Sequence, residues 1–129
     1  MKHTLLALAL LGFSQTAVSQ SVIKTLDSIA AEYNIDMNRV YSTGMSNGGF
    51  MSYKLACELS YRIAAIASVT GAMIDPAFLA CNPSHPTPVM QIHGTADPTV
   101  PYLGSTGVLG AEAGVAYWVD YNNCNTTAI

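Results

Sequence analysis

Ser46 is the residue whose setting most clearly suggests chemistry, because it lies in a Gly-x-Ser-x-Gly motif over residues 44–48. A serine at a sharp strand-to-helix turn exposes its hydroxyl and can attack a carbonyl carbon as a nucleophile. We expect Gly44 and Gly48 to remove side chains that would collide across this turn, and Gly49 to allow close helix–strand packing. The backbone N–H of Asn47, at the start of the helix, is expected to stabilise the oxyanion that the attack creates. The alternative is an ordinary glycine-rich turn capped by Ser46 or Asn47.

Asp97 is the carboxylate placed to assist this serine. It follows the apolar segment 88–93, which has the composition of a strand, and comes after the serine in the chain. In hydrolases built around such a turn, the acid stands at the end of a later strand and orients a histidine base. The alternative is an Asx turn or a helix cap, which accounts for most loop aspartates. We interpret His93 as a packing and hydrogen-bonding residue at the end of the strand, and His85 as a surface residue.

The elements that must position these residues alternate between helix and strand. Helical spacing predicts helices over 21–33, 47–60 and 108–121, the last with Val108, Leu109, Val115 and Trp118 as candidate core residues. Apolar and β-branched runs predict strands over 39–43, 63–69 and 88–93, and a short helix is possible over 76–80. This alternation predicts an α/β fold with a parallel sheet of about three strands and exposed edges.

Composition excludes several classes of function. Half of the 129 residues are hydrophobic, 10% are charged, and the formal net charge is −3. Five basic residues without a cluster give neither nucleic acid nor an anionic membrane surface an electrostatic site. The spacing of histidine and cysteine suggests no metal site, and no cofactor is expected.

The N-terminal residues are typical of a secretory signal peptide over 1–19. Lys2 and His3 precede an apolar run over 5–13, and small residues at 17 and 19 predict cleavage before Gln20. That run is too short to span a membrane, although a buried N-terminal helix is a further alternative. Export would expose three cysteines to oxidising conditions, and the odd number leaves one of them free, bonded to another chain or lacking its partner.

Four segments together resemble extracellular polyhydroxybutyrate depolymerase and feruloyl esterase-like α/β-hydrolases. They are residues 39–49, residues 55–58 (Leu-Ala-Cys-Glu), residues 93–102 (His-Gly-Thr-Ala-Asp-Pro-Thr-Val-Pro-Tyr) and residues 118–124. The resemblance extends from about residue 22 to residue 129. It implies an α/β-hydrolase domain, part of which residues 20–129 would form.

The resemblance assigns roles residue by residue. Ser46 matches the nucleophile, Asp97 the acid and the backbone of Asn47 one oxyanion donor. It further implies a disulfide between Cys57 and Cys81, and a partner further along the chain for Cys124. Two features of the family have no counterpart: a histidine after the acid, and a His-Gly loop before the nucleophile that supplies a second oxyanion donor. We therefore expect this sequence to represent the middle of an esterase joined to a signal peptide.

The leading functional hypothesis is a secreted carboxylic ester hydrolase that forms an acyl-enzyme on Ser46. The resemblance implies hydroxyalkanoate polyesters or hydroxycinnamoyl esters as substrates. A serine peptidase of the same fold is the second hypothesis, since a shared turn does not fix the substrate. The third is an inactive chain, or an interaction module that uses its open sheet edges, and the missing histidine favours it.

Overall fold

The computed structural model describes residues 2–76 and 80–125 and divides into two units, Met1–Met37 and Asn38–Ile129. The first unit contains helix α1, Lys2–Glu32. This helix includes most of the helix predicted over 21–33 and continues through the segment predicted as a signal peptide. Among the described residues, no helix combines the length and apolarity that crossing a membrane requires. The short helix predicted over 76–80 falls largely outside the described residues.

The second unit is built on a three-stranded parallel sheet. Strands β1 (Tyr41–Met45), β2 (Ala65–Val69) and β3 (Val89–Ile92) are adjacent in that order. Helix α2, Asn47–Glu58, connects β1 to β2, and helix α3, Ala111–Tyr121, follows β3. The predicted α/β class and parallel sheet are therefore confirmed, with every predicted strand shifted or shortened at its ends.

A short hairpin replaces the first turn of the helix predicted over 108–121. Strands β4, Gly104–Ser105, and β5, Val108–Leu109, pair antiparallel. Gly104 and Gly107 adopt positive φ angles of 83° and 77°, which side chains disfavour. Leu109 N–H donates to the carbonyl of Met73 at 2.9 Å, so this segment pairs with the loop after β2. Of the four core residues predicted here, only Trp118 is buried.

The core lies between one face of the sheet and helix α2. Tyr53, Leu55 and Ala56 of α2 are buried, and Ile66 of β2 is buried beneath them. Polar contacts also cross this interface, because the hydroxyls of Ser42 and Ser52 lie 2.9 Å apart. Apolar burial and these contacts fix the position of α2, and with it the turn from which α2 begins.

Helix α3 holds the segment that leads into β3. The side chain of Asn122 accepts from Thr87 N–H at 3.1 Å and donates to the Thr87 carbonyl at 2.9 Å. The hydroxyl of Tyr121 donates to the carbonyl of Pro83 at 2.7 Å. Cys57 of α2 and Cys81 are joined by a disulfide, while Cys124 is free and exposed. The start of β3 is thus held from both helices.

The opposite face of the sheet carries large apolar side chains in contact with solvent. Their exposed fractions are 63% for Tyr41, 71% for Met45, 59% for Met90 and 51% for Ile92. These residues alternate with the inward-facing ones, as the two-residue period of a strand requires. We refer to them below as the open face.

Candidate active site

Ser46 occupies the turn between β1 and α2 in a conformation that non-glycine residues rarely adopt. Its backbone has φ 53° and ψ −116°. Its N–H donates to the Val69 carbonyl at 2.8 Å, and its carbonyl accepts from Phe50 N–H at 3.1 Å. Its side chain forms no capping hydrogen bond with the helix. The hydroxyl is therefore not used as a cap, which removes the main support for the alternative of an ordinary capped turn.

The glycines of the motif differ in what they contribute. A Cβ atom at Gly44 would lie 2.6 Å from the Gly48 Cα, and one at Gly49 would lie 2.5 Å from the Ser68 Oγ. The close helix–strand approach predicted for Gly49 is confirmed. The prediction for Gly48 is wrong, because a Cβ there meets nothing within 4 Å. The turn is tight on the strand side and open on the side of Gly48.

Asn47 is the first residue of α2 and is exposed. The N–H groups in the first turn of a helix have no partner within the helix, and they point toward its positive end. An oxyanion formed next to Ser46 would meet such a donor. Asn47 thus lies at the start of α2, the position for which the sequence predicts an oxyanion donor.

Asp97 lies in the loop after β3, and one of its carboxylate oxygens organises that loop. Oδ1 accepts hydrogen bonds from the N–H groups of Thr99 and Val100, both at 2.9 Å. The Val100 N–H, followed by that of Thr99, lowers the pKa of Asp97 below its ordinary value. The Asx turn weighed as an alternative is therefore present. It occupies only Oδ1, and Oδ2 remains to orient another group.

Ser46 and Asp97 lie at the same edge of the sheet, after strands that are not neighbours. Met45, Val69 and Ile92 are in register at the ends of the three parallel strands, so Ser46 and the acid loop both follow the carboxyl edge. Two strand spacings separate β1 from β3, which is roughly 10 Å between backbones. An imidazole ring between the two elements is the arrangement that a serine, a histidine and an acid would require.

Neither described histidine side chain fills that gap. The His93 ring is 1% exposed, and its two nitrogens contact Gln91 and the Val100 carbonyl. His85 lies in the loop before β3, with Nδ1 3.2 Å from the Ser84 hydroxyl. The interpretation of His93 as a packing and hydrogen-bonding residue agrees with these contacts.

Sequence reasoning missed Tyr53 and Gln91. The Tyr53 hydroxyl donates to Gln91 Oε1 at 2.8 Å, and burial raises the pKa of Tyr53 to about 12. Gln91 Nε2 donates in turn to the Gly71 carbonyl at 2.8 Å. A glutamine within an apolar strand is the signal that could have identified this pair, since a polar side chain there needs partners.

A groove of about 670 Å³ lies between β3 and α3. His93, Tyr102, Glu112, Val115 and Cys124 are among its lining residues, whereas Ser46 is not. We therefore do not assign it as the binding site of the group that Ser46 attacks. Within the described part of the chain, no cluster of three or more histidine, cysteine or acidic residues could hold a metal ion.

Comparison with known proteins identifies one matching family. Residues 14–108 match the family described as phospholipase/carboxylesterase. The matched region includes both Ser46 and Asp97.

Two individual relatives are esterases by name. The bifunctional acetylxylan esterase/xylanase of Neocallimastix patriciarum is 35% identical over 94 residues, which is 73% of this chain and 14% of that protein. Feruloyl esterase B of Piromyces equi is 29% identical over 119 residues, which is 82% of this chain and 21% of that protein. The chain thus spans less than a quarter of the length of either relative.

Proposed function

Because this chain belongs to the phospholipase/carboxylesterase family of α/β-hydrolases, we propose that it carries the nucleophile and acid of a serine carboxylic ester hydrolase. The observation that carries the proposal is the backbone of Ser46, held at φ 53° at a strand-to-helix turn with its hydroxyl unused as a cap. Strain of this kind concentrates at functional sites. The position of Asp97 at the same sheet edge supports the pairing.

The proposed reaction has two stages. The Ser46 Oγ attacks the ester carbonyl carbon, and its proton passes to an imidazole base that Asp97 orients through Oδ2. The Asn47 N–H stabilises the resulting oxyanion, and the alcohol leaves with the proton as the acyl-enzyme forms. Water then attacks the acyl-enzyme, which releases the carboxylic acid and restores the Ser46 hydroxyl.

The proposed substrates are uncharged esters met outside the cell. The names of the two relatives point to feruloyl and acetylxylan esters. The segments that resemble polyhydroxybutyrate depolymerases extend the proposal to short hydroxyalkanoate polyesters. Secretion is proposed from the N-terminal pattern, and the disulfide between Cys57 and Cys81 suits an oxidising compartment.

The contacts of the two described histidine side chains favour a second candidate, a chain that presents the site without appreciable turnover. His93 is committed to Gln91 and the Val100 carbonyl, and His85 lies beside Ser84. Loss of the base in a serine hydrolase lowers turnover on the order of a millionfold. For this candidate we expect the purified 129 residues to hydrolyse esters only slowly.

Chemical rescue with imidazole separates these candidates. Hydrolysis of p-nitrophenyl butyrate, methyl ferulate and a 3-hydroxybutyrate oligomer is measured with and without added imidazole, beside the Ser46→Ala variant. The proposed ester hydrolase function predicts a rate of ester hydrolysis that increases with imidazole and exceeds the rate of the Ser46→Ala variant. Equal rates for both chains at every imidazole concentration would support the inactive alternative. Cleavage of a prolyl peptide in preference to every ester would support the peptidase.

A further inference from the structure

A continuous chain of hydrogen bonds links the helix of the nucleophile to the loop of the acid. It begins at Tyr53 on α2, passes through Gln91 on β3, and reaches His93, whose Nδ1 lies 2.9 Å from Gln91 Nε2. His93 Nε2 lies 2.8 Å from the Val100 carbonyl. The Val100 N–H in turn donates to Asp97 Oδ1 at 2.9 Å. Both candidate catalytic elements are thus tied to one buried network.

Two backbone carbonyl groups determine which atom donates and which accepts in the hydrogen bonds made by Gln91 and His93. The Gly71 carbonyl can only accept, so the Gln91 atom facing it at 2.8 Å is the amide nitrogen. The same nitrogen faces His93 Nδ1, which must therefore accept. The Val100 carbonyl can also only accept, so His93 Nε2 carries the hydrogen. The network fits one form of His93, the neutral tautomer protonated at Nε2.

The network meets the acid at the backbone of Val100, whose carbonyl and N–H lie on either side of its Cα atom. His93 holds the Val100 carbonyl, and the Val100 N–H holds Asp97 Oδ1. The His93 ring also packs edge-on against Tyr102, with ring centroids 5.8 Å apart. The loop between Asp97 and Tyr102 therefore wraps around a buried imidazole that Gln91 keeps in one orientation.

We propose that His93 is a positioning residue, which holds the backbone of Val100 through its carbonyl so that Asp97 presents Oδ2, and not Oδ1, to the base. The proposal deepens the proposed function and rests on it, since it concerns the acid of that reaction. It assigns Gln91 and Tyr53 the supporting role of selecting the tautomer that can donate to Val100.

The competing role for His93 is that of the base itself. His93 Nε2 lies 3.8 Å from Asp97 Oδ2, which is too long for a hydrogen bond, and only 2.8 Å from the Val100 carbonyl. Nδ1 has its lone pair engaged by Gln91. An imidazole in this state has no free nitrogen with which to take a proton from Ser46.

The tautomer is tested directly in the unmodified 129-residue chain. Imidazole nitrogen NMR should show His93 protonated at Nε2 and unprotonated at Nδ1, with the Nε2 proton protected from exchange with water. His85, in its exposed loop, is the internal control and should exchange freely. A His93 protonated at Nδ1, or one that exchanges as fast as His85, would overturn the proposal.

Two substitutions at position 93 test the consequence for the acid. His93→Gln places a side-chain amide N–H near the position of Nε2, whereas His93→Phe fills the space and cannot donate. Carbon NMR titration should find the pKa of Asp97 lowered in the wild type and in His93→Gln, and moved toward its ordinary value in His93→Phe. An unchanged pKa of Asp97 in a folded His93→Phe variant would overturn the proposal.

Gln91→Met keeps the experiment decisive if His93→Phe does not fold. It leaves the imidazole in place but removes the donor that orients it, so the pKa of Asp97 should rise and the tautomer preference should weaken. No change in either would overturn the proposal. None of these readouts needs turnover, so failure of the ester assays would leave them interpretable, and their failure would leave the assignment of Ser46 standing.

Discussion

Ser46 differs from the neighbouring serines in how its hydroxyl is used. The Ser42 and Ser52 hydroxyls form a hydrogen bond with each other, and the Ser52 hydroxyl also donates to the Gly48 carbonyl at 2.9 Å. Ser68 is fully buried against α2. The Ser46 hydroxyl lies instead at the end of a strand, next to the N–H groups at the start of a helix. Local backbone shape therefore distinguishes Ser46, the proposed nucleophile, from other serines within a few residues.

We predict that a fluorophosphonate probe labels Ser46 in preference to every other serine of the chain. Labelling should be slow, because the two described histidine side chains, His85 and His93, are engaged elsewhere. Added imidazole should accelerate it. Peptide mapping by mass spectrometry locates the label, and Ser52→Ala provides a matched control that should label normally. Labelling concentrated on Ser42 or Ser52 would show that the nucleophile has been wrongly assigned.

A second prediction at this scale concerns Asp97 and acid stability. The folded pKa of Asp97 lies below its ordinary value of 3.8. The ionised carboxylate therefore stabilises the fold above that value, and this contribution is lost as the pH falls through the folded pKa. The Asp97→Asn variant should lose less stability than the wild type as the pH is lowered below about 4.

Urea unfolding at a series of pH values measures this difference. Asp120→Asn removes a carboxylate outside the acid loop and controls for the change in net charge. Parallel pH profiles for the wild type and Asp97→Asn would contradict the role given to the Thr99 and Val100 hydrogen bonds.

At the scale of elements, the approach of α2 to the sheet depends on one glycine more than on its neighbour. We predict that Gly49→Ala lowers the free energy of unfolding by about 1–3 kcal/mol, because its Cβ would overlap Ser68 and the backbone of Gly71. Gly48→Ala is the matched control. Its Cβ meets open space, so its effect should stay within about 1 kcal/mol of zero. Urea unfolding midpoints compare the two, and equal losses would contradict this account of the packing.

The helices and strands show what sequence patterns can and cannot predict. Apolar, β-branched and aromatic runs located all three strands, because such residues favour a pleated, half-buried backbone. The hairpin of β4 and β5 was missed because Val108 and Leu109 have the same spacing as the start of a helix. Leu109 pairs with Met73, which lies 36 residues away in sequence, so local spacing gave no indication of this contact.

In the candidate site, too, local features could be predicted from the sequence and long-range contacts could not. The motif around Ser46 and the loop of Asp97 were predicted from local sequence, because each depends on a short turn. The contact between Tyr53 and Gln91 joins residues 38 positions apart and could not be inferred from either segment alone. Position in a motif predicts which residues react, whereas the network that orients them depends on tertiary packing.

At the scale of the whole molecule, the disulfide between Cys57 and Cys81 constrains a chain whose sheet leaves its apolar open face exposed to solvent. We predict that replacing both cysteines by alanine lowers the free energy of unfolding by about 3 kcal/mol in the chain-entropy treatment. Cys124→Ala is the control and should change little, because this thiol is free and exposed. Non-reducing peptide mass spectrometry checks the pairing, and a bond from Cys124 to either partner would contradict it.

The strained backbone of Ser46 has a consequence for how such a gene would change over time. A left-handed conformation at a residue with a Cβ costs about 1–3 kcal/mol, a large part of the stability of a small domain. Replacement by glycine would relieve most of this strain, whereas replacement by alanine would keep it. In a lineage released from selection for catalysis, drift toward glycine at position 46 would be favoured by stability alone. Position 46 holds a serine despite this stability advantage of glycine.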